Sequence, residues 1–204
     1  MTAPWPSANS NVRINNVEVL SDAWYTLRRV NFDYRNRAGH WTTQQREAYD
    51  RGNGATMLLI NWRRERVVLT RQFRMPAYLN EHRDGMLIES AAGLLDSDDA
   101  ATAVQREVEE ETGYVTGSVT PLFDLFMSPG SVTERVAFFV GEYTDADRVA
   151  PGGGVQAEGE DIEVLELGLD EALTLVEQGQ IQDGKTVLLL LWAHLERQRR
   201  GQAA

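Results

Sequence analysis

The feature that most constrains this chain is Arg106-Glu107-Val108-Glu109-Glu110-Glu111-Thr112-Gly113, preceded by Gly93-Leu94-Leu95-Asp96-Ser97-Asp98-Asp99. Glu107, Glu110 and Glu111 stand at helical offsets of zero, three and four. On an α-helix they fall in one narrow stripe. Like charges at that spacing repel, weakening an isolated helix by about a few tenths of a kcal/mol per pair. A solvated face usually mixes its signs, whereas oxygens crowded on a rigid support are what a hard divalent cation such as Mg²⁺ requires. The alternative is an acidic, solvated helix face.

The flanks favour the metal reading. Asp96, Asp98 and Asp99 offer N-cap oxygens and negative charge at the helix start, where the macrodipole favours both. Gly113 stands where a helix needs a left-handed C-terminal residue. Ala101, Val104 and Val108 form an apolar stripe beside the carboxylates, so one side can dock while its neighbour stays polar. Arg106 and Glu110, four apart, can pair, leaving Glu107 and Glu111 free to face a cation. Gly93 allows a close backbone approach. The pattern is that of a loop–helix metal platform.

The segment resembles the signature of the Nudix hydrolases, which runs Gly, five residues, Glu, seven residues, then Arg-Glu-apolar-any-Glu-Glu-any-Gly-apolar. The stretch from Arg106 to Tyr114 matches in full. Two departures precede it: Asp99 stands for the middle Glu, and six residues rather than seven separate it from Arg106. Aligning Asp98 restores the seven but leaves four residues after Gly93. A box shortened by one residue also belongs to the GDP-mannose pyrophosphatases. The resemblance to that subgroup extends over Tyr49-Asp50-Arg51-Gly52-Asn53-Gly54-Ala55, Arg71-Gln72-Phe73-Arg74, Leu87-Ile88-Glu89-Ser90, Met127-Ser128-Pro129-Gly130, Gly152-Gly153-Gly154-Val155, the segment from Glu160 to Glu166 and that from Asp183 to Leu189.

The resemblance implies a Mg²⁺-dependent enzyme, with Mn²⁺ a possible substitute, that hydrolyses GDP-mannose to GMP and mannose 1-phosphate as a homodimer. The catalytic set it implies is Arg106, Glu107, Glu110, Glu111 and Glu160. Metal ligands are Glu107, Glu111, Glu160 and the backbone carbonyl of Ala92, with Glu110 in support through Arg106. Glu158 is the alternative ligand in the same loop. Substrate contacts fall on Trp24, Gln45, Arg46, Glu47, Arg74, Ala92, Gly93, Leu94, Glu134 and Lys185. Those near Trp24 and residues 45–47 reach the partner subunit's site. Read singly, Arg46, Arg74 and Lys185 are surface charges rather than site residues, and Trp24 is as readily a core or interface residue as a stacking one. Rival readings are an ADP-ribose or ADP-sugar pyrophosphatase, which shares the Arg-Gln-aromatic-Arg pattern, and a non-catalytic nucleotide-binding module. An acidic Ca²⁺-binding domain is a weaker rival, because no loop carries ligands at alternate positions.

Composition limits the alternatives further. A chain of 204 residues can bury one substantial core. Its formal net charge of −11 opposes a general nucleic-acid binder, which needs clustered Lys and Arg. There are no cysteines, which fits a cytoplasmic protein. Residues 1–10 carry no basic-then-apolar leader, and the longest apolar run, residues 187–193, is too short to cross a bilayer. No membrane partner is therefore expected.

Hydrophobic patterning predicts strands at residues 12–19, 24–34 and 44–50, with a turn at 37–40. Further strands are expected at 55–61, 66–73, 86–90, 119–127, 135–143 and 162–167. Helices are expected at 100–112, 169–178 and 185–198, with a Gly-rich loop at 147–160. The basic tail Arg197, Arg199 and Arg200 reads as a helix C-terminus complementing its dipole. Strand runs with interposed helices give an α/β (α+β) fold. The resemblance specifies a Nudix α/β/α sandwich with a mixed sheet and a small N-terminal antiparallel β element. The expected organisation is a disordered N-terminus at 1–10, the dimerising β element at 11–50 and the hydrolase domain at 51–198.

Overall fold

The computed structural model describes residues 9–95 and 99–203, apart from the side chains of Glu158 and Ala203. The coil expected at residues 1–10 lies almost wholly outside the described residues, as do the capping acids Asp96 and Asp98. The chain divides into two compact units, the first containing residues up to Gly52 with Ser128–Glu134, the second containing Asn53–Met127 and Arg135–Ala204.

The first unit is an antiparallel three-stranded sheet of β1 (Val12–Asp22), β2 (Thr26–Arg35) and β3 (Trp41–Asp50) in that order. Its second turn forms because the Asn36 side chain accepts the backbone N–H groups of Ala38 and His40, both at 3.0 Å. Such an Asn turn replaces the ladder where the chain reverses. The segment Ser128–Glu134 joins the edge at Tyr49, whose N–H donates to Ser131 at 2.8 Å and whose carbonyl accepts from Thr133 N–H at 3.0 Å. No residue of β1, β2 or β3 is buried within the chain. Ile14, Val19, Trp24, Tyr34, Trp41 and Tyr49 are exposed in this unit.

The second unit holds β4 (Gly54–Asn61), β5 (Arg66–Phe73), the short helix α1 (Met75–Leu79), β6 (Met86–Glu89), β7 (Ala91–Leu94), α2 (Ala100–Thr112), β8 (Val119–Phe126), β9 (Arg135–Glu142), β10 (Glu163–Gly168), α3 (Leu169–Glu177) and α4 (Gly184–Ala203). The sheet runs β10-β5-β4-β9-β8, with β6 paired to β5 and β7 to β4. β4 and β9 are parallel and the other pairs antiparallel, so the sheet is mixed.

Every residue of β4 is buried, as a central strand covered on both faces requires. Its alternating side chains serve two cores. Met57 and Leu59 cluster with Val104 and Val108 of α2. Leu58 and Ile60 cluster with Leu169 and Ala172 of α3 and Leu189 and Leu190 of α4. Helices thus cover both faces, giving the expected α/β/α sandwich.

Two elements differ from the sequence reading. β7 is built of small residues with no β-branched signal, and it exists because Ala91, Ala92, Gly93 and Leu94 pair with Met57, Thr56, Ala55 and Gly54. Tertiary pairing overrides propensity there. α1 carries Pro76 in its first turn, a position that tolerates the missing N–H. The loop expected at 147–160 contains a short 3₁₀ turn at Gln156–Glu158.

Candidate active site

The site is organised by the two ends of α2. At its start Asp99 caps the helix, accepting the N–H groups of Ala101 and Thr102 at 3.1 and 3.2 Å and the Thr102 hydroxyl at 2.6 Å. The hydrogen bonds from Thr102 come first among the causes that hold this carboxyl below its ordinary range. The residue in the place of the signature's middle acid is therefore engaged in capping. At the far end Gly113 takes the left-handed conformation, φ 76°, as its position requires.

The glycine-rich loop docks on that end. Gly153 and Gly154 donate their N–H groups to the carbonyls of Glu111 and Glu110 at 2.9 and 3.1 Å, and Val149 donates to Gly113 at 2.8 Å. These donors satisfy carbonyls that a helix C-terminus leaves open. The same clamp brings Glu160 back towards the helix. Glu160 accepts the Val155 N–H at 2.8 Å, and a Cβ on Gly154 would lie 2.5 Å from its Oε2. Glu160 is close enough to act on both the Glu107 and the Glu111 carboxyls. The Glu158 side chain, the alternative ligand, lies outside the described residues.

Glu111 is only 3% exposed, and its Oε2 is buried without a hydrogen-bond partner. Burial pushes its carboxyl up to about 8, against the pull of Arg74 and with further upward pressure from Glu107, Glu160 and Glu89. Burial also raises Glu107, with Arg106 opposing it. Glu107 packs so closely on β7 that a Cβ on Gly93 would sit 2.2 Å from its Cδ. Against the expected pairing with Glu110, the Arg106 guanidinium meets Glu107 Oε1 at 3.3 Å, so Glu107 is not left free; the two chain neighbours lie side by side at the helix surface. Among the described residues no three acidic or histidine side chains converge as a ready metal cage. Glu107 turns to Arg106 and Glu160 to the Val155 amide instead.

Arg74 and Lys185 come together through a residue to which the sequence reading gave no role. Glu89 takes Arg74 Nε on its Oε2 and Lys185 Nζ on its Oε1, each at 2.6 Å. Lys185 also meets Asp183 at 2.9 Å. Burial works to lower the Lys185 ammonium, but the Glu89 and Asp183 carboxylates outweigh it and leave it raised. Glu89 carried one available signal: an acid closing the apolar run of β6.

Five of the remaining predicted contacts, Trp24, Gln45, Arg46, Glu47 and Glu134, belong to the first unit. Trp24 is 84% exposed. Gln45, Arg46 and Glu47 are exposed on β3, where Arg46 donates to the Gln45 carbonyl at 2.7 Å and Glu47 faces Arg29 at 3.5 Å. Glu134 pairs with Arg51 at 3.4 Å. Ala92, Gly93 and Leu94 lie on β7 of the second unit. The basic tail is tied down within α4's surroundings, Arg197 to Glu65 and Asp170 and Arg200 to Glu142 and Glu196.

Comparison with known families decides what this geometry belongs to. The family model of the NUDIX domain matches residues 50–190, and that of the GDP-mannose pyrophosphatase NudK N-terminal domain matches residues 11–49. The chain belongs to the Nudix hydrolases. Among similar Nudix proteins, the GDP-mannose pyrophosphatase of Salmonella arizonae is 49% identical over 92% of this chain and 97% of its own length. Those of Salmonella typhimurium and Citrobacter koseri are 52% and 51% identical, over 85% and 87% of this chain and 90% and 92% of theirs. A crystal structure of an ADP compounds hydrolase shares the fold with a TM-score of 0.72 at 18% identity, covering 96% of this chain and 99% of that one. Nudix hydrolases act on phosphorus anhydrides and use divalent metal ions. The orphaned, buried Glu111 oxygen and the acidic neighbours acting on it fit such an ion. No helix among the described residues is long and apolar enough to cross a membrane.

Proposed function

We propose that this Nudix hydrolase cleaves GDP-mannose to GMP and mannose 1-phosphate with Mg²⁺, Mn²⁺ serving as a substitute. The observation that carries the substrate is the set of relatives, about half identical over most of both chains, that are named for this activity. The geometry of the second unit agrees with the chemistry. Glu107, Glu111, Glu160 and the Ala92 carbonyl would hold the metal, which when bound neutralises pyrophosphate oxygens and lowers the pKa of water. Glu160, held on the docked loop, is the candidate to take the water proton. Arg74 and Lys185 receive the anionic substrate beside Glu111. Water adds across the phosphoanhydride bond, one phosphorus keeping the bridging oxygen and the other gaining the water oxygen. The test is product analysis after incubation with GDP-mannose and Mg²⁺. The reading expects equal amounts of GMP and mannose 1-phosphate; GDP with free mannose would refute it.

The protein acts, on this proposal, as a homodimer located in the cytoplasm, with Trp24, Gln45, Arg46 and Glu47 of one subunit completing the partner's site and Glu134 a further substrate contact. The support is the sheet of β1–β3, which buries nothing within its own chain and exposes aromatic and aliphatic side chains. A small sheet with so little cover needs a partner to be stable. Glu47, acceptor-only when ionised, suits the N1–H and 2-amino donors of guanine, which adenine lacks at that edge. Two variants test the arrangement: Arg46→Ala and Glu111→Gln, each poorly active, should regain activity when their subunits are mixed. A monomeric protein of full activity, or no recovery after demonstrated subunit exchange, would end this part of the proposal.

A further inference from the structure

The ion-pair chain behind the carboxylates has a member with no role in any reading above. Glu89 is 4% exposed at the end of β6. Its two oxygens divide between two cations from opposite ends of the unit, Arg74 after β5 and Lys185 at the start of α4. The surroundings fix it further. Lys185 also contacts Asp183, Asp183 accepts the Thr186 hydroxyl at 2.6 Å, and that hydroxyl accepts the Ser90 N–H at 2.6 Å. The Ser90 hydroxyl in turn lies 2.7 Å from Thr56 Oγ1 on the central strand β4. A continuous hydrogen-bonded chain therefore runs from β4 to the two cations.

Electrostatics also mark the place. Arg74 and Glu89 both act on the Glu111 carboxyl, with opposite sign. Long cationic side chains carry large rotamer entropy, and fixing them before an anion arrives removes part of the cost of binding it. Charge-assisted bonds to one carboxylate give that fixation a direction. We propose that Glu89 is a positioning residue: it presents the Arg74 guanidinium and the Lys185 ammonium as one preorganised clamp for the substrate's anionic groups. Glu89 acts through those cations and touches neither substrate nor metal. This inference rests on the proposed role of Arg74 and Lys185 in substrate binding.

Glu89→Gln keeps the shape of the side chain and must turn one amide N–H₂ towards a cation. With whichever nucleoside diphosphate sugar the wild type hydrolyses, kcat/KM should fall by about 10- to 100-fold, mostly through KM, with the Mg²⁺ activation constant unchanged. The Glu89→Gln effect should shrink in an Arg74→Lys background, because the clamp is already disturbed. An unchanged kcat/KM, additive effects, or a loss confined to kcat with a raised Mg²⁺ requirement would overturn the proposal. The last pattern would make Glu89 a metal ligand. A second measurement needs neither substrate nor a stable Glu89 variant. In ¹⁵N spectra of the wild-type protein, the Arg74 Nε–H, assigned by its loss in Arg74→Lys, should exchange slowly with solvent. Fast exchange at that site would also overturn the proposal. Absence of GDP-mannose hydrolysis by the wild type would instead remove the substrate reading and leave the exchange test standing.

Discussion

Glu111→Gln should lower turnover at least ~10²-fold with the fold intact, because a proposed metal ligand and its charge vanish while the shape stays. The same variant should be more stable than the wild type when both are stripped of metal at alkaline pH. The folded protein holds the Glu111 carboxyl up to about 8, against an ordinary 4.5. A raised acid binds its proton more tightly in the folded state than in the unfolded chain. Stability linked to it is therefore present below the ordinary value and is lost as pH climbs towards the folded one. In chelator, wild-type melting should fall between pH 5 and pH 8.5, whereas Glu111→Gln escapes this loss and melts higher by about 5 °C or more at pH 8.5. At pH 5 the two should nearly coincide. Saturating Mg²⁺ should restore wild-type melting at pH 8.5 and do much less for the variant. Near-wild-type hydrolysis by Glu111→Gln would remove the metal assignment. Equal melting of the metal-free proteins at pH 8.5 would remove the account of Glu111 as a buried acid held for a cation.

Gly93→Ala should cost nearly as much activity for a different reason. The new Cβ would lie 2.2 to 2.5 Å from Glu107 Cδ, Cγ and Oε1, distances no real contact sustains. The obstructing atoms are the end of a flexible side chain, so the fold survives and Glu107 moves. A displacement of about 1 Å in such a group costs on the order of 10²-fold in rate. Steady-state kinetics should show that loss together with a higher Mg²⁺ requirement, and thermal melting should shift by no more than a few degrees. Activity within about threefold of wild type would contradict the contact between β7 and Glu107, since a smaller change than ~10²-fold leaves the group in place.

The helix that carries the site was legible because its signals are local. Asp99 supplies a cap, Gly113 supplies the left-handed stop, and the acids between them follow helical spacing. The strands β4 and β5 were legible through the apolar stretches at residues 57–60 and 67–69. What the sequence did not disclose depends on partners far along the chain. β7 is small residues ordered by β4, and nothing in Ala-Ala-Gly-Leu favours a strand alone. Glu89 meets Lys185 across 96 positions, a distance no periodicity encodes. Arg106 has both Glu107 and Glu110 within helical reach, and spacing alone favoured Glu110, although the side chain meets Glu107. The role of the glycines at 153 and 154 as donors to the last turn of α2 was also invisible in the sequence. Their flexibility reads as a loop, and only the fold shows that the loop is clamped.

The central claim is that the chain is a nucleotide-sugar pyrophosphatase selective for GDP-mannose. The proposed pyrophosphate machinery of Glu107, Glu111 and Glu160 would treat every such substrate alike. Selectivity must therefore come from polar contacts to base and sugar, which can discriminate by several kcal/mol where stacking alone does not. The direct measurement is kcat/KM for GDP-mannose, ADP-ribose and UDP-sugars at one Mg²⁺ concentration. The account predicts the highest value for GDP-mannose; faster turnover of ADP-ribose would contradict it, leaving only the membership of the Nudix hydrolases.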